Sequence, residues 1–233
     1  MEPKEGRIVA NGLDFAYVET GSGPLALCLH GFPDSPYTYR HLLSDLAGAG
    51  YRAVAPYMRG YAPTAIPVDG SFKSSDLGSD AMGLHEALGG DGEAVLVAHD
   101  WGAVAAWGAL GRGPERFRRA VVIDVPPLQV AGNVLMRLEQ IKRSFYFWFF
   151  QMPVAEAVVA ANNLEFIDFL WNTWSPGYDA TDDLAKVKTC LGDPANLAAA
   201  LGYYRSYFDP SRFGSDEWVA EQGAAWGAPP SNP

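Results

Sequence analysis

Between Ala94 and Leu110 the sequence passes from an apolar strand to an alanine-rich helix, with only His99-Asp100-Trp101-Gly102 to make the turn. A connection that short brings the strand and helix backbones almost into contact. It demands small residues two places before and two places after its centre, and Ala98 and Gly102 stand there around Asp100. The central residue is forced into a strained backbone conformation that presents its side chain at the carboxyl edge of a sheet. Open α/β sheets bind ligands at that edge, so Asp100 is the first candidate functional residue. Aspartate also serves readily as a helix N-cap. The small neighbours and the buried strand ahead of Asp100 favour an active carboxylate over that role.

The first 127 residues alternate strand and helix signals. Arg7–Ala10 and Leu13–Glu19 flank Asn11-Gly12, a strong hairpin turn. Leu25–His30 is a continuous apolar run ending at Gly31, the pattern of a strand buried on both faces. A helix is expected over Tyr37–Ala49, closing at Gly50. Strand Tyr51–Pro56, helix Ser75–Leu88, strand Ala94–Ala98, helix Ala103–Leu110 and strand Ala120–Asp124 follow. This alternation predicts βαβ units and a mostly parallel sheet. After Pro127 it stops. Residues 128–224 read as helices and aromatic-rich loops, the signature of a helical insertion above the sheet, and 225–233 read as a linker back toward it.

With 233 residues, 48% of them hydrophobic and 13% aromatic, the chain can bury a sizeable core. Its formal charge of −10 disfavours nucleic acids and anionic membranes as partners. Of its two cysteines, Cys28 lies inside an apolar strand and is expected as a buried free thiol. No Cys/His cluster has metal-ligand spacing, so neither a metal nor another cofactor is expected. The run Met1–Arg7 is too charged for a signal peptide, and the aromatic run Phe145–Phe150 is too short to span a bilayer. These features predict a soluble protein of the cytoplasm.

An aspartate at the turn, where a serine would suit an esterase, points to attack on saturated carbon. A carboxylate opens an epoxide or displaces a halide to leave an ester on the protein, and a His-activated water then cleaves it. His30-Gly31-Phe32-Pro33, at the end of an earlier strand, is placed to offer the Phe32 N–H beside that of Trp101 as an oxyanion hole. Pro33 is a candidate for a cis bond. Arg59-Gly60-Tyr61-Ala62-Pro63-Thr64 follows the next strand, and its Arg59 is expected to brace loops.

With His-Gly-Phe-Pro and His-Asp-Trp-Gly both present, the chain resembles the epoxide hydrolase branch of the α/β-hydrolase superfamily. The resemblance spans almost the whole sequence, and the insertion matches that branch's cap domain. It implies an α/β fold with a mostly parallel sheet and a helical cap, the last core strands being absent here. A small apolar epoxide is the implied substrate. The family holds and protonates the epoxide oxygen with two cap tyrosines, which the resemblance places at Tyr146, ahead of Gln151-Met152-Pro153, and at Tyr204, ahead of Arg205. Tyr203 is the rival for the second. The Arg59 loop departs from the family's Arg-Gly-Tyr-Gly-x-Ser in carrying Ala62 and Thr64. Haloalkane dehalogenases share the Asp-Trp pair but grip halide with Trp N–H groups or an oxyanion-loop Asn, where this chain has Phe32. Fluoroacetate dehalogenases usually place Arg where Trp101 stands.

The family supplies its His base and orienting acid after the cap. The four histidines here are His30, His41, His85 and His99. His30 belongs to the oxyanion motif, His41 and His85 fall on helices, and strand alternation is expected to turn His99 away from Asp100. Asp124 is a candidate acid, capping of the strand exit being its other role. The resulting expectation is a carboxy-terminally truncated epoxide hydrolase that traps its substrate once and turns over very slowly. A non-catalytic fragment, a homodimer and a subunit completed by a second chain are the alternatives.

Overall fold

The computed structural model describes residues 3–228. β1 (Lys4–Ala10) and β2 (Leu13–Gly21) form an antiparallel hairpin. Its turn residues Asn11 and Gly12 both have positive φ, 48° and 73°, which matches the strands' right-handed twist. β2 pairs antiparallel with β4 (Arg52–Pro56). From there the sheet is parallel through β3 (Leu25–Leu29), β5 (Val95–His99) and β6 (Arg119–Ile123), in the order β1-β2-β4-β3-β5-β6.

That order positions the site. The chain leaves β3 toward β4 on one side and leaves β5 toward β6 on the other, so the two connections diverge and a crevice opens between neighbouring strand ends. His30-Gly31-Phe32-Pro33 leaves one of those ends and Asp100 the other.

Helices cover both faces. α1 (Arg40–Gly48) packs on β2 and β4, over Ala26, Cys28, Ala53 and Ala55. α2 (Ser74–Ala87) and α3 (Trp101–Arg112) lie side by side on the opposite face, over Leu27, Leu29, Val54, Leu96 and Ala98. β3 is buried along its whole length, as its unbroken apolar sequence requires. Each of its leucines contributes about 1.5–3 kcal/mol of burial. The helix expected from Tyr37 begins instead as a 3-10 turn, Pro36–Tyr39, because Ser35 Oγ accepts from Tyr37 N–H and Pro36 fixes the first position. Gly50 follows α1 in the left-handed region, φ 89°.

Beyond Pro127 the described residues hold helices and no strand: α4 (Leu128–Leu135), α5 (Leu138–Arg143), α6 (Phe145–Phe149), α7 (Ala155–Trp174), α8 (Thr181–Leu191), α9 (Pro194–Tyr207) and α10 (Asp216–Trp226). α7 is broken in the middle, where Asn162, Asn163 and Leu164 all take positive φ. α10 packs on α2 and α3. Its approach is close enough that a Cβ on Gly111 would come within 1.9 Å of the Trp226 carbonyl oxygen. Residues 229–233 of the expected linker lie outside the described residues.

β6 pairs only with β5 among the described residues and is an exposed edge, with Val121 and Ile123 55% and 44% accessible. Both cysteines are buried free thiols, and burial pushes Cys28 up to about 12. No helix of the described residues is long and apolar enough to cross a membrane.

Candidate active site

Asp100 occupies the N-cap position of α3 with φ 54° and ψ −121°, a region L-residues rarely adopt, and its side chain makes no capping hydrogen bond. The small neighbours explain how the turn closes. A Cβ on Gly102 would lie 2.1 Å from the Leu29 carbonyl oxygen, and one on Gly31 would lie 2.2 Å from Asp100 Oδ1. Ala98 is fully buried.

The carboxylate points into the crevice. Phe32 N–H donates to Asp100 Oδ1 at 2.7 Å, and the Phe32-Pro33 bond is cis. Burial raises the Asp100 carboxyl above its ordinary value, while the His99 ring and the N–H groups of Phe32 and Trp101 draw it back toward the ionised form. His30 braces this loop. Its Nε2 accepts from Met58 N–H at 3.1 Å, so Nδ1 carries the proton and donates to the Gly31 carbonyl at 2.9 Å. Burial lowers His30 to about 4, which keeps it neutral.

The tyrosines come from two helices. Tyr146 on α6 and Tyr204 on α9 stand with ring centroids 5.5 Å apart, and both pack against Phe32. Tyr204 Oη is buried and has no hydrogen-bond partner. Burial, with the Asp100 charge adding to it, holds both phenols well above the ordinary range, so both stay protonated and able to donate. Tyr203 faces the other way: its hydroxyl donates to the Arg59 carbonyl at 2.7 Å. Gln151 Nε2 donates to the Tyr204 carbonyl at 3.0 Å and ties the end of α6 to α9. Trp101 packs edge-on against Tyr203, Tyr204 and Tyr207, and its Nε1 is also without a partner.

Two cavities meet at Asp100. The larger, about 920 Å³, is lined by Phe32, Pro33, Asp34, His99, Asp100, Asp124 and Tyr146 among others. The smaller, about 150 Å³, is lined by Asp100, Trp101, Asp124, Tyr146 and Tyr204, with apolar residues of α4 and α9 behind them. Every sequence-predicted site residue except His30 and Gly31 therefore faces one or both cavities, and those two shape the loop beneath.

His99 continues the alternation of β5, in which Val95 and Val97 are half-buried against the α1 face and Leu96 and Ala98 are buried on the other. It lines the larger cavity, with Nε2 4.0 Å from Asp124 Oδ2. Sequence reasoning passed over Asp34, which follows Pro33 directly. It is buried on the cavity wall, accepts from Ser35 N–H at 2.7 Å, and is pushed up to about 7 by burial. Arg59 does brace the loops, through a buried two-pronged pair with Asp80 at 2.6 and 2.7 Å and a bond to the Ser71 carbonyl. No group of three or more His, Cys, Asp or Glu among the described residues is placed to hold a metal ion.

The family model for the alpha/beta hydrolase fold matches residues 24–171. The chain is 40% identical over 161 residues to an epoxide hydrolase of Caballeronia sordidicola, covering 67% of this chain and 49% of that protein. It is 32% identical over 213 residues to epoxide hydrolase 4 of Mus musculus, covering 87% and 59%. The chain thus spans about half the length of these curated relatives. It superposes on the epoxide hydrolase of Bacillus megaterium, solved with an inhibitor, with a TM-score of 0.79 at 26% identity, covering 92% of this chain and 74% of that one. The chain belongs to the α/β-hydrolase fold family and is similar to epoxide hydrolases within it.

Proposed function

We propose that this chain opens an apolar epoxide by nucleophilic attack of Asp100. Asp100 Oδ2 attacks a ring carbon, the ring C–O bond breaks, and the oxygen takes a proton from Tyr146 or Tyr204. Oδ1, already on the Phe32 N–H, becomes the carbonyl oxygen of the resulting ester and is held where an oxyanion forms when that ester is cleaved. The observation that carries this reading is the conjunction of a positive-φ aspartate on an amide donor with a buried, unpartnered tyrosine hydroxyl beside it. The aromatic lining favours an apolar substituent on the epoxide.

Incubation with styrene oxide followed by intact mass tests the reading. The wild type gains the mass of one epoxide and Asp100→Asn does not. Equal labelling of the two would remove Asp100 from the reaction. Halide displacement at the same cavity is the second reading, favoured by the buried Trp101 Nε1 that no group satisfies. Release of bromide from 1-bromobutane, absent in Trp101→Phe, distinguishes it.

A further inference from the structure

We infer that Trp171 on α7 is a positioning residue: its ring N–H holds the loop after β3 so that the Phe32 amide stays on Asp100. The inference rests on the Asp100 nucleophile proposed above and concerns what keeps the donor of that carboxylate in place.

The loop from Gly31 to Asp34 has few bonds of its own. Asp34 N–H donates to the Gly31 carbonyl at 3.2 Å, and Ser35 N–H turns to the Asp34 side chain. Pro33 has no N–H, so its carbonyl is the one polar backbone group it offers. Trp171 Nε1 donates to that carbonyl at 2.8 Å, across 138 residues of sequence. On the other side of Phe32 in the chain, the His30 ring holds the Gly31 carbonyl at 2.9 Å. The Phe32 amide therefore lies between two anchored carbonyls, one fixed from the sheet and one from α7. It donates to Asp100 Oδ1 at 2.7 Å.

The Trp171 ring is held apart from its N–H. It is half-buried on the wall of the larger cavity and stacks on Tyr178 at 6.5 Å. Tyr178 Oη donates to Asp183 Oδ2 at 2.8 Å, and Arg40 on α1 pairs with Asp183 Oδ1 at 2.7 Å. These bonds keep α8 on α1 whether or not Trp171 donates. Losing the N–H therefore frees the Pro33 carbonyl while the surrounding helices stay docked.

The amide matters to both halves of the reaction. Its bond to Oδ1 favours the ionised, nucleophilic Asp100, and the same donor faces the oxyanion when the ester is cleaved. The titratable groups around Asp100 are His99, Asp124, Asp34, Tyr39, Tyr61, Tyr146 and Tyr204. Removing the Trp171 N–H changes the charge of none of them, so a change in the Asp100 titration reports the amide.

The test removes that N–H alone by Trp171→benzothienylalanine, in which sulfur replaces the ring N–H, with Trp171→Phe as a second variant. Nitrogen-labelled phenylalanine lets NMR follow the Phe32 amide as pH is varied. The inference predicts that the Phe32 amide proton moves upfield in both variants, as a bond to a carboxylate loosens. The Asp100 midpoint read from that proton moves up, and the pH midpoint of ester formation with styrene oxide moves up with it. An unchanged Phe32 shift and midpoint in either folded variant would overturn the inference, whatever its thermal stability. If the amide moves as predicted and no ester forms even in the wild type, the nucleophile reading fails and the positioning of Phe32 by Trp171 stands.

Discussion

Phe32 and Asp100, 68 residues apart in sequence, are joined by a 2.7 Å hydrogen bond from the Phe32 amide to Asp100 Oδ1. That bond divides the two carboxylate oxygens. Oδ1 is held by backbone in the position of an ester carbonyl, and Oδ2 is left facing the cavity. The chemistry proposed for the chain follows from this asymmetry.

Tyr203 and Tyr204 are neighbours with opposite roles, and removing their hydroxyls separates stability from chemistry. Tyr204→Phe deletes a hydroxyl with no partner, so it is expected to leave thermal stability unchanged while slowing ester formation about 100-fold. Tyr203→Phe loses the bond to the Arg59 carbonyl, which costs about 1 kcal/mol, and leaves the rate of ester formation intact. Paired denaturation curves and single-turnover rates check both.

The raised Asp100 carboxyl sets a pH dependence. Only the carboxylate is nucleophilic, so ester formation is expected to fall as pH drops, with a midpoint above the ordinary carboxylate range. A midpoint at or below that range would contradict the burial seen here.

Asp34 predicts a pH-dependent stability. Its folded pKa of about 7 lies above the unfolded value near 3.8, so the folded state binds the proton more tightly. Its contribution is full below the unfolded value and is lost as pH rises from about 4 through 7, at up to about 1.4 kcal/mol per pH unit. Denaturant unfolding at several pH values should show this slope in the wild type and its loss in Asp34→Asn.

Arg59 and Asp80 form a buried pair that α2 and the loop after β4 share. Arg59→Met leaves the Asp80 charge buried with only Asn11 to bond it, and is expected to cost about 3–5 kcal/mol. The double variant Arg59→Met/Asp80→Leu should recover part of that loss in the same urea titration.

What the sequence revealed was set by how local each demand is. The Asn11-Gly12 turn, the β3 run and the Asp100 turn each impose a backbone requirement within a few residues, and each stands where those residues put it. Asp34 and the Arg59–Asp80 pair were harder, since burial and charge pairing across 21 residues exist only after the helices dock. α10 likewise carries no signal of its target: its apolar face would suit a cap as well as the α2–α3 surface it covers.

A single turnover in heavy-oxygen water, with protein in excess over styrene oxide, bears most directly on Asp100 as nucleophile. Attack by Asp100 Oδ2 and cleavage at its Cγ predict an unlabelled diol and a heavy oxygen in the peptide that contains Asp100. Label in the diol with none in Asp100 would mean that water attacks the epoxide directly, and the account would be wrong.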